Sequence, residues 1–511
     1  MAKAQPKSKR KQVIKSANLS SRWLTGGFCG LMAIGIILVA MIRPTDPDMG
    51  WHIRNGLDIL RFGAPRGDLY SYTMFGHPWI SHEWLTDIGM YWLSHNTGWL
   101  IMSAVFASIV ALAYVIAARV SRANWETVLI TALLAILVAM PIIGIRAQML
   151  TLLGLAIVLW ILFRWRERPT NNLIWWLVPL MLLWVNLHGG FFAGLVLIAV
   201  FAGAELFKCL LNRFFKKLQL PCLSLRYFGK LGGVWLALVA VTFINPYTWR
   251  VYDELRRTLF DNTVRQVISE WTPVSFASPQ SYNLLIYTIL LAFLVIIYWR
   301  RVDLTKVIIG ICFFLLAMSS WRNLPLFSLV TVPLLAEIVV AVAPMGFNYL
   351  NNWLMIILLA AGVGWLGWDR YQLIAPFSRQ PELFQSGGRY PYQAVQYIKE
   401  HQLAGKLFNE YNWGGYLIWQ LPEKQVFIDG RMATWKTPTQ DIFAEYNKIS
   451  DVDAATGPIL DKYDVGLVLI YNNRKSKGYF LGHAEQWKLL YQDDLAMIFQ
   501  RSDLVTIRPS S

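Results

Sequence analysis

Long apolar runs alternate with short polar stretches over the first three quarters of the chain. A run of roughly 20 apolar residues spans a hydrocarbon core about 30 Å thick. By that measure about eleven segments qualify as membrane helices: 23–42, 99–118, 127–143, 148–163, 173–187, 190–207, 231–245, 282–299, 305–320, 324–342 and 350–368. The stretch NLHGG (186–190) reads as a tight turn between two helices or a break within one. Beyond 368 the pattern changes to charged residues, turns and short apolar runs. There VFIDGR (426–431), DVGLVLIY (464–471) and the pair WKLLYQDD/LAMIFQR (487–501) predict strands, the last two joined as a hairpin across Asp493 and Asp494. YPYQAVQYIKEHQL (390–403) predicts a helix stopped by Gly405.

The segment 43–98 is far too long for a simple turn. It predicts two interfacial helices, over 51–62 with Ile53, Leu57 and Leu60 on one face, and over 83–93 with Trp84, Leu85, Ile88, Tyr91 and Trp92.

Composition agrees with the membrane reading: 56% of the 511 residues are hydrophobic and 15% are charged. The 24 Trp and 22 Tyr suit rings placed at membrane interfaces. A net charge of +16 would suit nucleic acid, but its distribution speaks against that. With the N-terminus inside, Lys and Arg dominate the basic tail 1–22 and loops 119–126, 164–172, 208–230 and 300–304, with 343–349 uncharged. The opposite loops 43–98 and 246–281 carry more acids than bases, as the positive-inside rule requires. An odd helix count then puts 369–511 outside. The expected layout is a basic cytoplasmic tail (1–22), a transmembrane domain (23–368) and an extracytoplasmic α/β domain (369–511). The first helix reads as retained, not as a removed signal peptide. Cys29 and Cys312 lie in apolar segments and Cys209 and Cys222 in a basic loop, with no metal spacing and no disulfide framework suggested.

In this topology the distinctive polar residues gather at extracytoplasmic helix ends: Asp46, Asp48 and His52; His82 and Glu83; Arg146; Asn186 and His188; Asn245 and Pro246; Arg322 and Asn323. Ionisable groups at such places are costly unless they serve a site or a pathway. A carboxylate there can take the proton of a hydroxyl nucleophile. Arg146, Arg250 and Arg322 offer charge-assisted contacts to a phosphate, and Trp51, Trp79 and Trp84 offer flat faces to a sugar. His52, His82 and Glu83 could join the aspartates around a divalent cation, although nothing in the sequence requires a cofactor. The bland alternatives are that Asp48 caps the helix after it, that His188 bonds a helix end, and that YNWGGYLIW…VFIDGR is structural, with Gly414 and Gly415 in a tight turn. Glu205 and Glu337, inside apolar segments, read as reaching out from the cytoplasmic half.

DPDMGWHIRNG…SYTMFGHPWISHEWL, WVNLHGGFFAG, NPYTW and YNWGGYLIW…VFIDGR resemble segments of bacterial membrane proteins related to the polytopic glycosyltransferases of the GT-C fold, which use lipid-phosphate sugars. The resemblance implies a mainly α, polytopic GT-C-like membrane protein with a small C-terminal extracytoplasmic α/β domain, set in the bacterial plasma (inner) membrane. It also implies an inverting transferase with a polyprenyl-phosphate-linked sugar donor among the membrane lipids, working on the outer face. The base would be an Asp or Glu at the start of the first loop, hence Asp46 or Asp48. The chain lacks a WWD-type oligosaccharyltransferase motif, and Pro47 splits its acidic pair, so donor sugar and acceptor stay open. Two rivals involve no bond chemistry: a transporter or flippase of a lipid-linked or anionic substrate that uses the same cavity, and a cell-envelope scaffold whose C-terminal domain binds a partner.

Overall fold

A computed structural model describes residues 7–261, 265, 268–342, 352–387 and 390–505, with side chains from residue 23 onward. The predicted loop 343–349 and the first six residues lie outside the described residues. The helical part runs α1 (Lys7–Ala40), α2 (Met49–Phe62), α3 (Trp84–Asn96), α4 (Trp99–Ala118), α5 (Trp125–Ala139), α6 (Gln148–Glu167), α7 (Leu177–Leu187), α8 (Phe191–Phe214), α9 (Phe228–Val241), α10 (Val251–Phe260), α11 (Tyr282–Ile297), α12 (Leu304–Ser319), α13 (Leu324–Val342) and α14 (Trp353–Ile374). Side-chain caps start several of them. Asn124, Asp303 and Asn352 accept from the backbone N–H of Thr127, Thr305 and Met355 at 3.0, 2.9 and 2.8 Å.

Among the described residues seven segments are long and apolar enough to cross a membrane: Trp23–Ala40, Trp99–Ser121, Gln148–Glu167, Phe191–Phe214, Pro279–Ile297, Trp321–Val342 and Trp353–Ser378. Trp125–Ala139, Leu173–Leu187 and Leu304–Ser319 are apolar but shorter, and the predicted segment 231–245 falls largely on α9. α6 and α13 are the most enclosed, packing against α4 and against each other. α14 leans on α1 and presents Trp353, Leu354, Ile357, Leu358, Trp365 and Trp368 outward, a face suited to lipid. The chain is a multi-pass helical membrane protein carrying a small C-terminal α/β region.

In that region β1 (Lys406–Asn409), β4 (Val465–Tyr471), β5 (Trp487–Gln492) and β6 (Ala496–Arg501) form a sheet ordered β1-β4-β6-β5. β1 runs parallel to β4, and the other pairs are antiparallel. β2 (Lys436–Thr437) and β3 (Gln440–Asp441) make a separate hairpin. The predicted hairpin forms, its turn tied by Asp493 accepting from the backbone N–H of Leu495 and Ala496. VFIDGR does not join the sheet. Val426 instead makes an isolated bridge with Ser71 of the first loop, and Gly430–Thr434 is a 3-10 turn capped by Asp429. Gly414 and Gly415 open a helix (Gly414–Gln420), not a tight turn.

The first loop also departs from expectation. α2 is clamped between α3 and the Gly414–Gln420 helix, burying His52, Asn55 and Asp58 along with Ile53 and leaving Leu60 exposed. α3 does turn Trp92 outward while burying Thr86 and Asp87. Cys209 and Cys222, expected to be unpaired, are joined as a disulfide with Cα atoms 5.8 Å apart. Glu205 does not reach outward. It is fully enclosed and bonded to Arg166 and Lys208, both at 2.8 Å.

Candidate functional site

At the end of the bundle from which α2 emerges lies a cavity of ≈ 190 Å³. Asp46, Asp48, His52, His82, Glu83, Arg146 and Arg322 all line it. These residues come from the first loop, the start of α6 and the turn before α13, so the fold brings together what the sequence separates. His188 sits one layer behind, bonded to Glu83. Asn186, Asn245 and Asn323 bond to nearby backbone carbonyls outside the cavity lining. Arg250 is not part of the wall. Trp51 and Trp79 are part of it, whereas Trp84 turns away and donates its indole N–H to Asn186 at 3.0 Å.

The two aspartates differ. Asp46 accepts the backbone N–H of Asp48 at 2.9 Å and pairs with Arg146. Arg146 also pairs with Glu270 at 2.5 Å, and Glu270 lies 3.9 Å from Arg322. Asp48 makes no capping bond to α2. Its carboxylate accepts the indole N–H of Trp51 at 3.0 Å. Burial, then the like charge of Asp46, push its pKa up to about 6, against the pull of His52, Trp51 and Arg146. A carboxylate tuned this way is a stronger base near neutral pH than an ordinary one.

Behind the aspartates Glu83 is a hub. His52 Nε2 lies 3.4 Å from Oε2, and His188 Nε2 and His82 Nε2 lie 3.1 and 3.6 Å from Oε1. His188 Nδ1 accepts the N–H of Gly190 at 2.9 Å and contacts the Thr151 hydroxyl at 2.7 Å. Its proton is therefore on Nε2, donated to Glu83. Burial opposes charge on Glu83, but His52, His188 and His82 outweigh it and hold the carboxyl well below its usual range. His52 Nδ1 meets Asp87 Oδ1 at 2.6 Å. Burial lowers the His52 pKa, yet Asp87 and Glu83 prevail and lift it to about 9.

His52, Glu83 and Asp87 offer donor atoms within 4.8 Å of one another, residue types that suit a divalent cation. As bonded here those atoms serve each other. The 2.6 Å His52–Asp87 separation is a hydrogen bond, and the second Asp87 oxygen accepts from Asn55 at 2.6 Å.

Three participants carry no signal along the chain. Asp87 and Glu270 become visible only as partners of His52 and Arg146. Asp68 becomes visible only through Arg431, which it binds at 2.8 Å; Asp429, part of VFIDGR, binds the same guanidinium at 2.6 Å. The Arg431 guanidinium lies over Trp79, Tyr70 and Trp435, 4.5, 5.0 and 5.1 Å from the ring centroids. With Gly430, Ala433, Thr434 and Trp435 it lines the same cavity as Arg322.

No family model and no curated protein sequence matches the chain. Its fold is similar to that of the oligosaccharyltransferase of the archaeon Archaeoglobus fulgidus. The likeness holds for the apo form (TM-score 0.51, 11% identity) and for the form tethered to an acceptor peptide containing the NVT sequon (0.54, 13%). It holds also for the form in complex with an inhibitory peptide and a dolichol-phosphate (0.53, 11%). Each match covers 94% of this chain and 74% of the other. The chain therefore shares the GT-C-type fold of that oligosaccharyltransferase; at such identities the likeness concerns the fold alone.

Proposed function

We propose that the chain is a membrane glycosyltransferase that moves a sugar from a polyprenyl-phosphate donor to an acceptor hydroxyl on the outer face of the plasma membrane. The observation that carries this is Asp48, a cavity-facing carboxylate with a raised pKa, set across from an incompletely paired Arg322. The GT-C fold supports it, and a structure of similar fold holds a dolichol-phosphate. The charge of the loops supports a cytoplasmic N-terminus and an outward-facing cavity.

In this reading Asp48 accepts the proton of the acceptor hydroxyl as its oxygen attacks the anomeric carbon. The bond between that carbon and the phosphate oxygen breaks, and polyprenyl phosphate leaves with the electron pair. Attack from the opposite face inverts the centre. Arg322 meets the charge that develops on the phosphate, in surroundings where such contacts are strong. Arg146 is engaged by Asp46 and Glu270 and acts as a strut. His52, held by Asp87 and Glu83, fixes the floor beneath the base. His82, on the rim, and His188, behind Glu83, keep that carboxylate ionised. A divalent cation on His52, Glu83 and Asp87 would require their mutual hydrogen bonds to open; chelator-insensitive turnover fits the bonded arrangement.

Asp46→Asn and Asp48→Asn variants in membranes supplied with a polyprenyl-phosphate hexose test the proposal. Loss of transfer in a normally folded Asp48→Asn variant is expected. Undiminished movement of the lipid-linked sugar across the membrane by a variant lacking both carboxylates would instead favour a transporter.

A further inference from the structure

The C-terminal region packs tightly against the first loop at the proposed base. A Cβ on Gly430 would fall on Asp48 Oδ1, one on Gly415 on the Pro47 carbonyl, and one on Gly50 on the Gly415 carbonyl. Gly430 is not among the residues with positive φ, so the missing side chain serves close approach and not backbone freedom. Around this contact the two segments are knit together. Tyr72 N–H donates to Val426 O at 3.2 Å and Val426 N–H to Tyr70 O at 2.9 Å. The Thr73 hydroxyl donates to Phe427 O at 2.6 Å, and Gln440 donates to Thr73 O at 3.0 Å. Arg431 joins Asp68 of the first loop to Asp429 of the turn, its side chain 3% exposed.

We propose that Gly430 and Arg431 are positioning residues of the catalytic centre: Arg431 pins the Asp429–Arg431 turn to the first loop, and the bare backbone of Gly430 closes over the Asp48 carboxylate and shuts out water from one side. The C-terminal region is then part of the machinery that makes the base, and not an appended module. This inference rests on the reading of Asp48 as the base for its functional meaning, but its geometry can be tested without turnover. Besides the turn, Asp48 is influenced by Asp46, His52 and Arg146, and the hydroxyls of Tyr390 and Tyr411 lie within its electrostatic reach. The Tyr411 hydroxyl also donates to Gly430 O at 3.1 Å and belongs to the same closure; a substitution at Gly430 leaves the charged groups of Asp46, His52 and Arg146 in the protein. Desolvation is the largest cause of its raised pKa.

The test is an infrared titration of the full chain in lipid nanodiscs, following the protonated-carboxyl band that Asp48→Asn abolishes. In the unaltered protein the midpoint is expected at about 6. Gly430→Ala displaces the carboxylate toward the hydrated cavity and should lower the midpoint by about one pH unit. Arg431→Lys keeps the charge but loses the two-pronged hold on Asp68 and Asp429, and should lower it by less. It decides the matter if Gly430→Ala does not accumulate. A midpoint unchanged in both variants, or one in the ordinary carboxylate range in the unaltered protein, overturns the inference. Transfer that survives in Asp48→Asn would remove the base from the proposed function and leave this result standing.

Discussion

Buried charge gathers at both ends of the helical bundle, and the two gatherings are built differently. At the end that carries the basic loops, Glu205 receives Arg166, Lys208, the Thr305 hydroxyl at 2.6 Å and the Leu223 N–H at 2.7 Å. Lys208 also reaches the Pro221 carbonyl at 2.7 Å, Arg166 holds Asp303, and Lys306 holds Glu337. Three cations answer three anions, and of their carboxylate oxygens Glu337 Oε2 is buried without a hydrogen-bond partner. At the other end Asp48 has an indole N–H, a neighbouring like charge and open space, while Arg322 has a carboxylate only at 3.9 Å. Burial of charge by itself does not mark a site; charge left partly unanswered beside a cavity does.

The sharpest break between the two clusters should come from Asp48→Asn, which should lower turnover by about 10²–10⁴-fold. The same change should raise stability at neutral pH, by roughly 1–2 kcal/mol since the side chain keeps contact with the cavity. The sign follows from the shift. A carboxyl moved from 3.8 up to about 6 binds its proton more tightly when folded, so stability is lost as pH rises through that window. A chemical-denaturation series of the two proteins against pH checks it. The closed cluster should respond in the opposite way. Lys208→Met removes one of the two cations on Glu205, which keeps Arg166, Thr305 and the Leu223 N–H, and should cost about 3 kcal/mol, while the molecules that still fold turn over at nearly the normal rate. Next in size, Arg322→Gln should weaken capture of polyprenyl monophosphate in vesicles by about 1.5–3 kcal/mol, measured as a shift in half-saturation. Smallest over the physiological range is the pH dependence of transfer. The rate should rise about tenfold per pH unit up to the Asp48 midpoint and level off above it.

Much of the architecture was legible because its signals are local. Apolar run length found the helices, and short apolar runs bounded by turn residues found β4 and the β5/β6 hairpin. The polar helix ends named seven residues of one cavity wall because topology alone puts them on one side. What was not legible depends on partners far apart in the chain. Arg146 reads as a phosphate clamp in the sequence, but Asp46 and Glu270 occupy it. α2 reads as interfacial by its apolar stripe, yet Asn55, Asp58 and His52 find partners inside. VFIDGR reads as a strand ending in a turn. Only the fold shows that the turn lies against Asp48.

The most direct measurement is the movement of label from a radiolabelled polyprenyl-phosphate hexose to a non-lipid acceptor in native membranes containing the unaltered chain or Asp48→Asn. The account predicts label transferred together with release of polyprenyl phosphate for the unaltered chain, and neither for a normally folded Asp48→Asn. Equal transfer by the two, and by the Asp46→Asn/Asp48→Asn double variant, would contradict it.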